Sequence, residues 1–155
     1  MAYRIRGIDP TPFLSLYGRD EAELKQRGVL RTVAGDDTGY PERIELRNAR
    51  RGECLLLLNF THQPAAGPYH ASHAVFVREG ATEAAQLFDE VPDVMARRMI
   101  SLRAFNADHL IDHAALVDGR QLDEAIRRML GTASVAYVHA HYAAYGCFAG
   151  YIDRA

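Results

Sequence analysis

The run CLLLLNF, Cys54–Phe60, is the most apolar in the chain and constrains the fold more than any other segment. It is too short for an ordinary buried helix, and its length fits a central strand. Strand character recurs on both sides of it. YRIRGI (Tyr3–Ile8) alternates with period two, VLRTVA follows from Val29, and ERIEL follows the turn GDDTGYP. HAVFVRE (His73–Glu79), MISLRAF (Met99–Phe105) and HLIDHAALV continue the series, and YVHAHYAAYGCFAGYI (Tyr137–Ile152) reads as a closing hairpin. Helix signals are fewer. Thr11-Pro12 marks a short helix with Phe13, Leu16 and Tyr17 on one face. Asp20 and Glu23 stand as a capping box for a second, which Gly28 ends. Pro92–Arg98 suits another short helix. The clearest is Arg120–Leu130, with Asp118 and Gln121 in a capping relation, Leu122, Ile126 and Met129 on one face, and Gly131 at its end. Grouped strands with few long helices predict an α+β fold: a largely antiparallel sheet with a few short helices, in a single compact domain over residues 1–155. A doubly wound parallel sheet needs many more helical crossovers.

Composition narrows the function classes. The 155 residues carry 48% hydrophobic and 25% charged side chains, ordinary for a soluble globule, and a net charge of −2. Basic residues are scattered among acidic ones, and the densest basic run, RNARRGE (Arg47–Glu53), lacks interleaved aromatics. A nucleic-acid partner is therefore not expected, because phosphate binding needs a basic face. No apolar stretch approaches the roughly 20 residues that span a bilayer, so no membrane partner is expected either. The segment MAYRIRGIDPTPF has no apolar signal-peptide core. With only Cys54 and Cys147, the expectation is a reduced, cytoplasmic protein. Lys25 is the one lysine among 18 basic residues, which suggests a GC-rich bacterial genome. Oligomeric state is left open.

Chemistry concentrates in two places. In the closing hairpin, His139 and His141 share a strand face by period two, and Cys147 follows. Pairing His141 with Cys147 across the loop YAAYG sets Ala140 opposite Phe148, Val138 opposite Gly150 and Ala136 opposite Ile152. That gives one coherent apolar face. Tyr137, His139, His141, Cys147 and Tyr151 then share the other, with opposed Cβ atoms about 5 Å apart. Three readings follow. Cys147 is a catalytic nucleophile served by His141 and His139, with Arg103 or a backbone N–H at an oxyanion. Alternatively, His139, His141 and Cys147 chelate a metal, completed by His62 or water. Or the hairpin is structural and Cys147 is a small apolar filler. The tight ligand spacings of zinc ribbons and the downstream glutamate of cupins are missing, so no metal ligand set and no cofactor is assigned. Whether the chain is an enzyme stays open.

The second place is the segment THQPAAGPYHAS (Thr61–Ser72), long for a hairpin connection and shaped by two prolines and a glycine. His62, Gln63, Tyr69 and Ser72 are its candidate ligand-binding residues. Arg78 and Arg103, on flanking strands, are added because a buried guanidinium needs a carboxylate or an anionic ligand. No phosphate-binding glycine loop, dinucleotide fingerprint, CxxC, HExxH or GxSxG occurs.

Three separated motifs, NFTHQPAAGPYHAS…FVREG (Asn59–Gly80), SLRAFNAD (Ser101–Asp108) and VHAHYAAYGCFA (Val138–Ala149), resemble a bacterial domain-of-unknown-function family, DUF1203. The resemblance runs almost end to end and implies no activity, cofactor or catalytic residue. Among the loop histidines it gives His62 more weight than His70 or His73. The expectation is a small polar or anionic ligand held where the His62 segment meets the His139/His141/Cys147 face.

Overall fold

A computed structural model describes every residue from Met1 to Ala155. In chain order its elements are β1 (Tyr3–Arg6), a 3-10 turn (Thr11–Leu16), α1 (Glu21–Gln26), β2 (Leu30–Val33), β3 (Pro41–Glu42), β4 (Arg47–Asn48) and β5 (Cys54–Gln63). There follow β6 (Ala71–Arg78), β7 (Gln86–Phe88), α2 (Asp93–Ala96), β8 (Met99–Phe105), β9 (Ile111–Asp118), α3 (Leu122–Leu130), β10 (Tyr137–Tyr142) and β11 (Phe148–Arg154). They form a six-stranded sheet, β7-β1-β11-β10-β8-β9, and a five-stranded sheet, β2-β5-β6-β3-β4. Every pairing is antiparallel except β3 with β6. The fold is α+β with largely antiparallel sheets, as the strand-rich sequence predicts.

The larger sheet is buried on both faces of its centre. One face carries Ile100, Leu102, Val138, Ala140 and Ile152, packed with Leu122, Ile126 and Met129 of α3 in a single apolar cluster. The other face presents Phe148 to Ile44, Leu56, Leu58, Val75 and Val77 around the smaller sheet. Gly7 lies directly against the Arg43–Ile44 turn. Its N–H donates to the Ala85 carbonyl at 2.9 Å, and the next N–H, of Ile8, donates to the Arg43 carbonyl at 2.9 Å. A Cβ at Gly7 would lie 2.0 Å from the Ile44 carbonyl oxygen, so only glycine fits.

Local signals were realised unevenly. The Asp20 carboxylate accepts from the Glu23 N–H at 2.8 Å, and Gly28 leaves α1 at φ +73°. Before α3, Asp118 accepts from the Arg120 N–H at 2.9 Å instead of serving Gln121, because a 3-10 turn over Gly119–Gln121 precedes the α-helix. The ERIEL strand does not form. The buried Glu42 carboxylate draws the N–H groups of Ile44 and Glu45 onto itself, and the chain turns through Leu46 at φ +55°. β5 extends to Gln63, so His62 lies on a strand, and the connection to β6 is shorter than the Thr61–Ser72 loop expected.

Candidate functional site

Strand alternation selects the side chains that face the sheet interface. Along β5, Leu56, Leu58, Phe60 and His62 fall on one side, and the first two belong to the inter-sheet cluster. Along β10, the central position in the larger sheet brings His139 and His141 to the same interface from the opposite side. The three imidazoles meet there. One ring nitrogen from each lies within 4.8 Å of the others. Ring centroids are 4.9 Å apart for His62–His141, 6.0 Å for His62–His139 and 6.2 Å for His139–His141. His139 and His141 are buried, and His62 is half-buried.

The hydrogen-bond accounting is unusual. His141 Nδ1 lies 2.9 Å from the Gly146 carbonyl; since a carbonyl can only accept, that nitrogen carries the proton. The lone pair of Nε2 is then free, and Nε2 is buried without a partner. Nδ1 of His139 and Nδ1 of His62 are likewise buried and unpartnered. Aromatic rings hold the imidazoles in place. Phe148 stacks under His62 at 5.4 Å and 3°, while Phe105 and Tyr151 flank His139 at 4.9 Å and 5.6 Å. Burial is the main reason the imidazolium forms are disfavoured, with Arg103 and the other histidines adding repulsion. His62 is pushed down to about 4, and His139 and His141 each to about 3. All three rings are therefore neutral at physiological pH, the form that ligates metals.

The cluster opens on one side. His62 and His139 line a groove of about 510 Å³ together with Tyr137, His109 and Tyr151. Gln63 Nε2 donates to the Tyr137 hydroxyl at 2.8 Å, and His109 Nδ1 lies 2.9 Å from the same oxygen. No carboxylate lines this groove. Arg103 stands on β8 directly opposite His139 and forms no ion pair, with Nε 3.4 Å from the Ser101 hydroxyl.

Cys147 is elsewhere. Val138 pairs with Ile152 and His139 with Tyr151, an irregularity follows at Ala140/His141, and His141 then pairs with Phe148. The Tyr142 N–H donates to the Cys147 carbonyl at 2.9 Å, so the connecting loop is Ala143–Gly146, with Gly146 at φ +76°. This corrects the expected His141–Cys147 register. The cysteine points away from the imidazoles into the helix-side cluster, and its Sγ accepts from Arg43 Nη2 at 2.9 Å. The reason lies in burial: all six residues of β10 are buried, so both faces of the hairpin are rich in apolar contacts. An apolar face alone cannot choose between the registers there.

Among the other expected ligand-binding residues, Gln63 is buried beside the site, bonded to Tyr137. Tyr69 is exposed, its ring perpendicular to that of Phe105 with centroids 6.0 Å apart. Ser72 is exposed opposite Thr61. Arg78 is drawn off by Glu45, and its N–H donates to Glu42, so it serves the smaller sheet. His109, Arg43 and Tyr142 carry no sequence signal that singles them out. His109 reaches the groove only because the chain turns through it at φ +62°.

A family model described as a protein of unknown function (DUF1203) matches residues 39–154. That span contains all three histidines. No curated protein and no solved structure matches the chain.

Proposed function

The chain belongs to the DUF1203 family of proteins of unknown function, and from its site we propose that it binds a divalent transition metal, zinc as the reference case, through His62, His139 and His141. The observation that carries this reading is the meeting of three neutral imidazoles whose buried ring nitrogens have no hydrogen-bond partner. A buried polar atom left unpaired costs about 1–3 kcal/mol, so three of them are retained at a price unless something occupies the centre. A metal held where one nitrogen from each ring comes together would occupy that centre. Tetrahedral zinc with nitrogens at about 2.0–2.1 Å places ligand atoms about 3.4 Å apart. The present spacing, within 4.8 Å, has to shorten by up to about 1.4 Å around a bound ion.

Three histidines with an open side leave a fourth coordination position, the arrangement of metal sites that bind water or substrate. The ligand set is uncharged, no carboxylate lines the groove, and Arg103 adds positive charge nearby. The ion's charge is thus undiminished, and the groove suits a small anionic or polar ligand. His141, whose Nδ1 is fixed by the Gly146 carbonyl, has the backbone support expected of a metal-ligating imidazole. Cys147 takes no part, and a thiol-centred reaction draws no comparable support. One lysine among 18 basic residues fits a bacterial source, and two free cysteines fit a cytoplasmic location.

Calorimetric titration of chelator-stripped protein with zinc tests the assignment. One ion binds per chain, and His62→Ala or His139→Ala weakens binding by about a hundredfold or more, beyond what loss of an outer-shell contact produces. Absence of binding, or binding indifferent to both substitutions, overturns it.

A further inference from the structure

A second cavity, of about 540 Å³ and lined mainly by apolar side chains, lies between the smaller sheet and the loop end of the closing hairpin. We propose that it binds an apolar small molecule bearing a carboxylate, at a site that none of the three clustered histidines lines. Its apolar wall includes Leu57, Val75, Phe76 and Met99. Its basic lining residues are Arg43, Arg98 and His73, and no aspartate or glutamate is among them.

Arg43 is 2% exposed. Its Nε donates to the Phe148 carbonyl at 2.8 Å, Nη1 to the Pro41 carbonyl and Nη2 to Cys147 Sγ at 2.9 Å. None of these partners is a carboxylate, and two of its five N–H groups remain unassigned. The buried Glu42 next to it in sequence is taken by the N–H groups of Ile44, Glu45 and Arg78. Arg98 is also without an ion pair, bonded instead to the Val94 and Thr38 carbonyls and the Asn48 amide oxygen. The two guanidinium carbons stand 4.9 Å and 5.4 Å from the centroid of the Tyr142 ring. Tyr142 lines the cavity, is 6% exposed, and its hydroxyl is buried with no partner.

A buried cation without a counter-ion is costly, and so is an unpaired buried hydroxyl. The unpaired groups are guanidinium N–H donors and a phenol hydroxyl that can also donate. A carboxylate, which only accepts, complements them, and the apolar wall takes the rest of the molecule. An alcohol of the same length satisfies the wall but not the charge.

Octanoate and 1-octanol, titrated into metal-free His139→Leu protein, separate these contributions without involving a metal-bound carboxylate. Octanoate binds about tenfold or more tighter than octanol, as expected for charge-assisted hydrogen bonds. Arg98→Met and Tyr142→Phe each weaken octanoate severalfold and leave octanol unchanged. Bound octanoate also slows alkylation of Cys147, which lines the same cavity. Arg43→Met removes the buried charge directly. Should that chain not fold, the other two variants decide the matter. Equal affinity for acid and alcohol, no binding of octanoate, or indifference to both substitutions overturns the proposal.

Discussion

Replacing His139 by leucine should separate what the histidine cluster costs from what it does. The side chain is 2% exposed, its Nδ1 is buried without a partner, and no hydrogen bond of its ring holds the fold together. Removing an unsatisfied buried polar atom recovers about 1–3 kcal/mol. A swap of similar volume against the Phe105, Tyr137 and Tyr151 rings loses up to about 1.5 kcal/mol through imperfect packing. The metal-free protein should therefore lie between about 0.5 kcal/mol less stable and about 3 kcal/mol more stable. In a chain of this size the upper end raises Tm by up to about 12 °C. The metal response should move the opposite way. Zinc at a hundred times its Kd stabilises the wild type by about 2.7 kcal/mol, or about 5–11 °C, and leaves the leucine variant unmoved. Differential scanning calorimetry near pH 7.5, with and without zinc, reads both effects. The reasoning fails if metal-free His139→Leu melts well below the wild type while zinc leaves the wild-type Tm where it was. The imidazole would then be structural.

Three further outcomes follow from the same geometry. His62, His139 and His141 have folded-state pKa values lowered to about 4, 3 and 3 from 6.5, so the unfolded chain binds their protons first. Their contribution is fully present above about pH 6.5 and is lost as pH falls toward 3–4. Urea midpoints of metal-free protein should drop between pH 7.5 and 5, less steeply for His139→Leu. In a Cys54→Ser background, His141→Ala should leave the rate of Cys147 alkylation and its pH dependence unchanged, because the sulfur accepts from Arg43; a slowed rate would restore the imidazole–thiol pair. Gly7→Ala should cost about 3 kcal/mol or more in denaturant unfolding, since its Cβ meets the Ile44 carbonyl at 2.0 Å, whereas Gly67→Ala, with nothing within 4 Å, should be near neutral.

The fold was legible because period-two runs and a cap such as Asp20 act locally: β8 and α1 formed where the sequence put them. The ERIEL strand failed because Glu42, a side chain, outcompeted the neighbouring strand for two N–H groups. Half of the site was also legible. His139 and His141 share a face by strand period, whereas His62 was expected on a loop and reaches the same interface because β5 runs on to Gln63. The cysteine was misplaced because a register argument needs one wet face, and β10 has none. The Arg43–Tyr142 cavity was invisible, since it depends on a guanidinium from one sheet reaching the hairpin of the other.

The most direct test of the histidine centre is the visible spectrum of the protein titrated with cobalt(II) in place of zinc. The account predicts ligand-field bands of low-coordinate cobalt that saturate at about one equivalent, with no thiolate-to-cobalt charge-transfer band, and their loss in His62→Ala. A spectrum no different from cobalt in buffer would contradict the three-histidine site. A thiolate band that disappears in Cys147→Ser would contradict the placement of the cysteine on the opposite face.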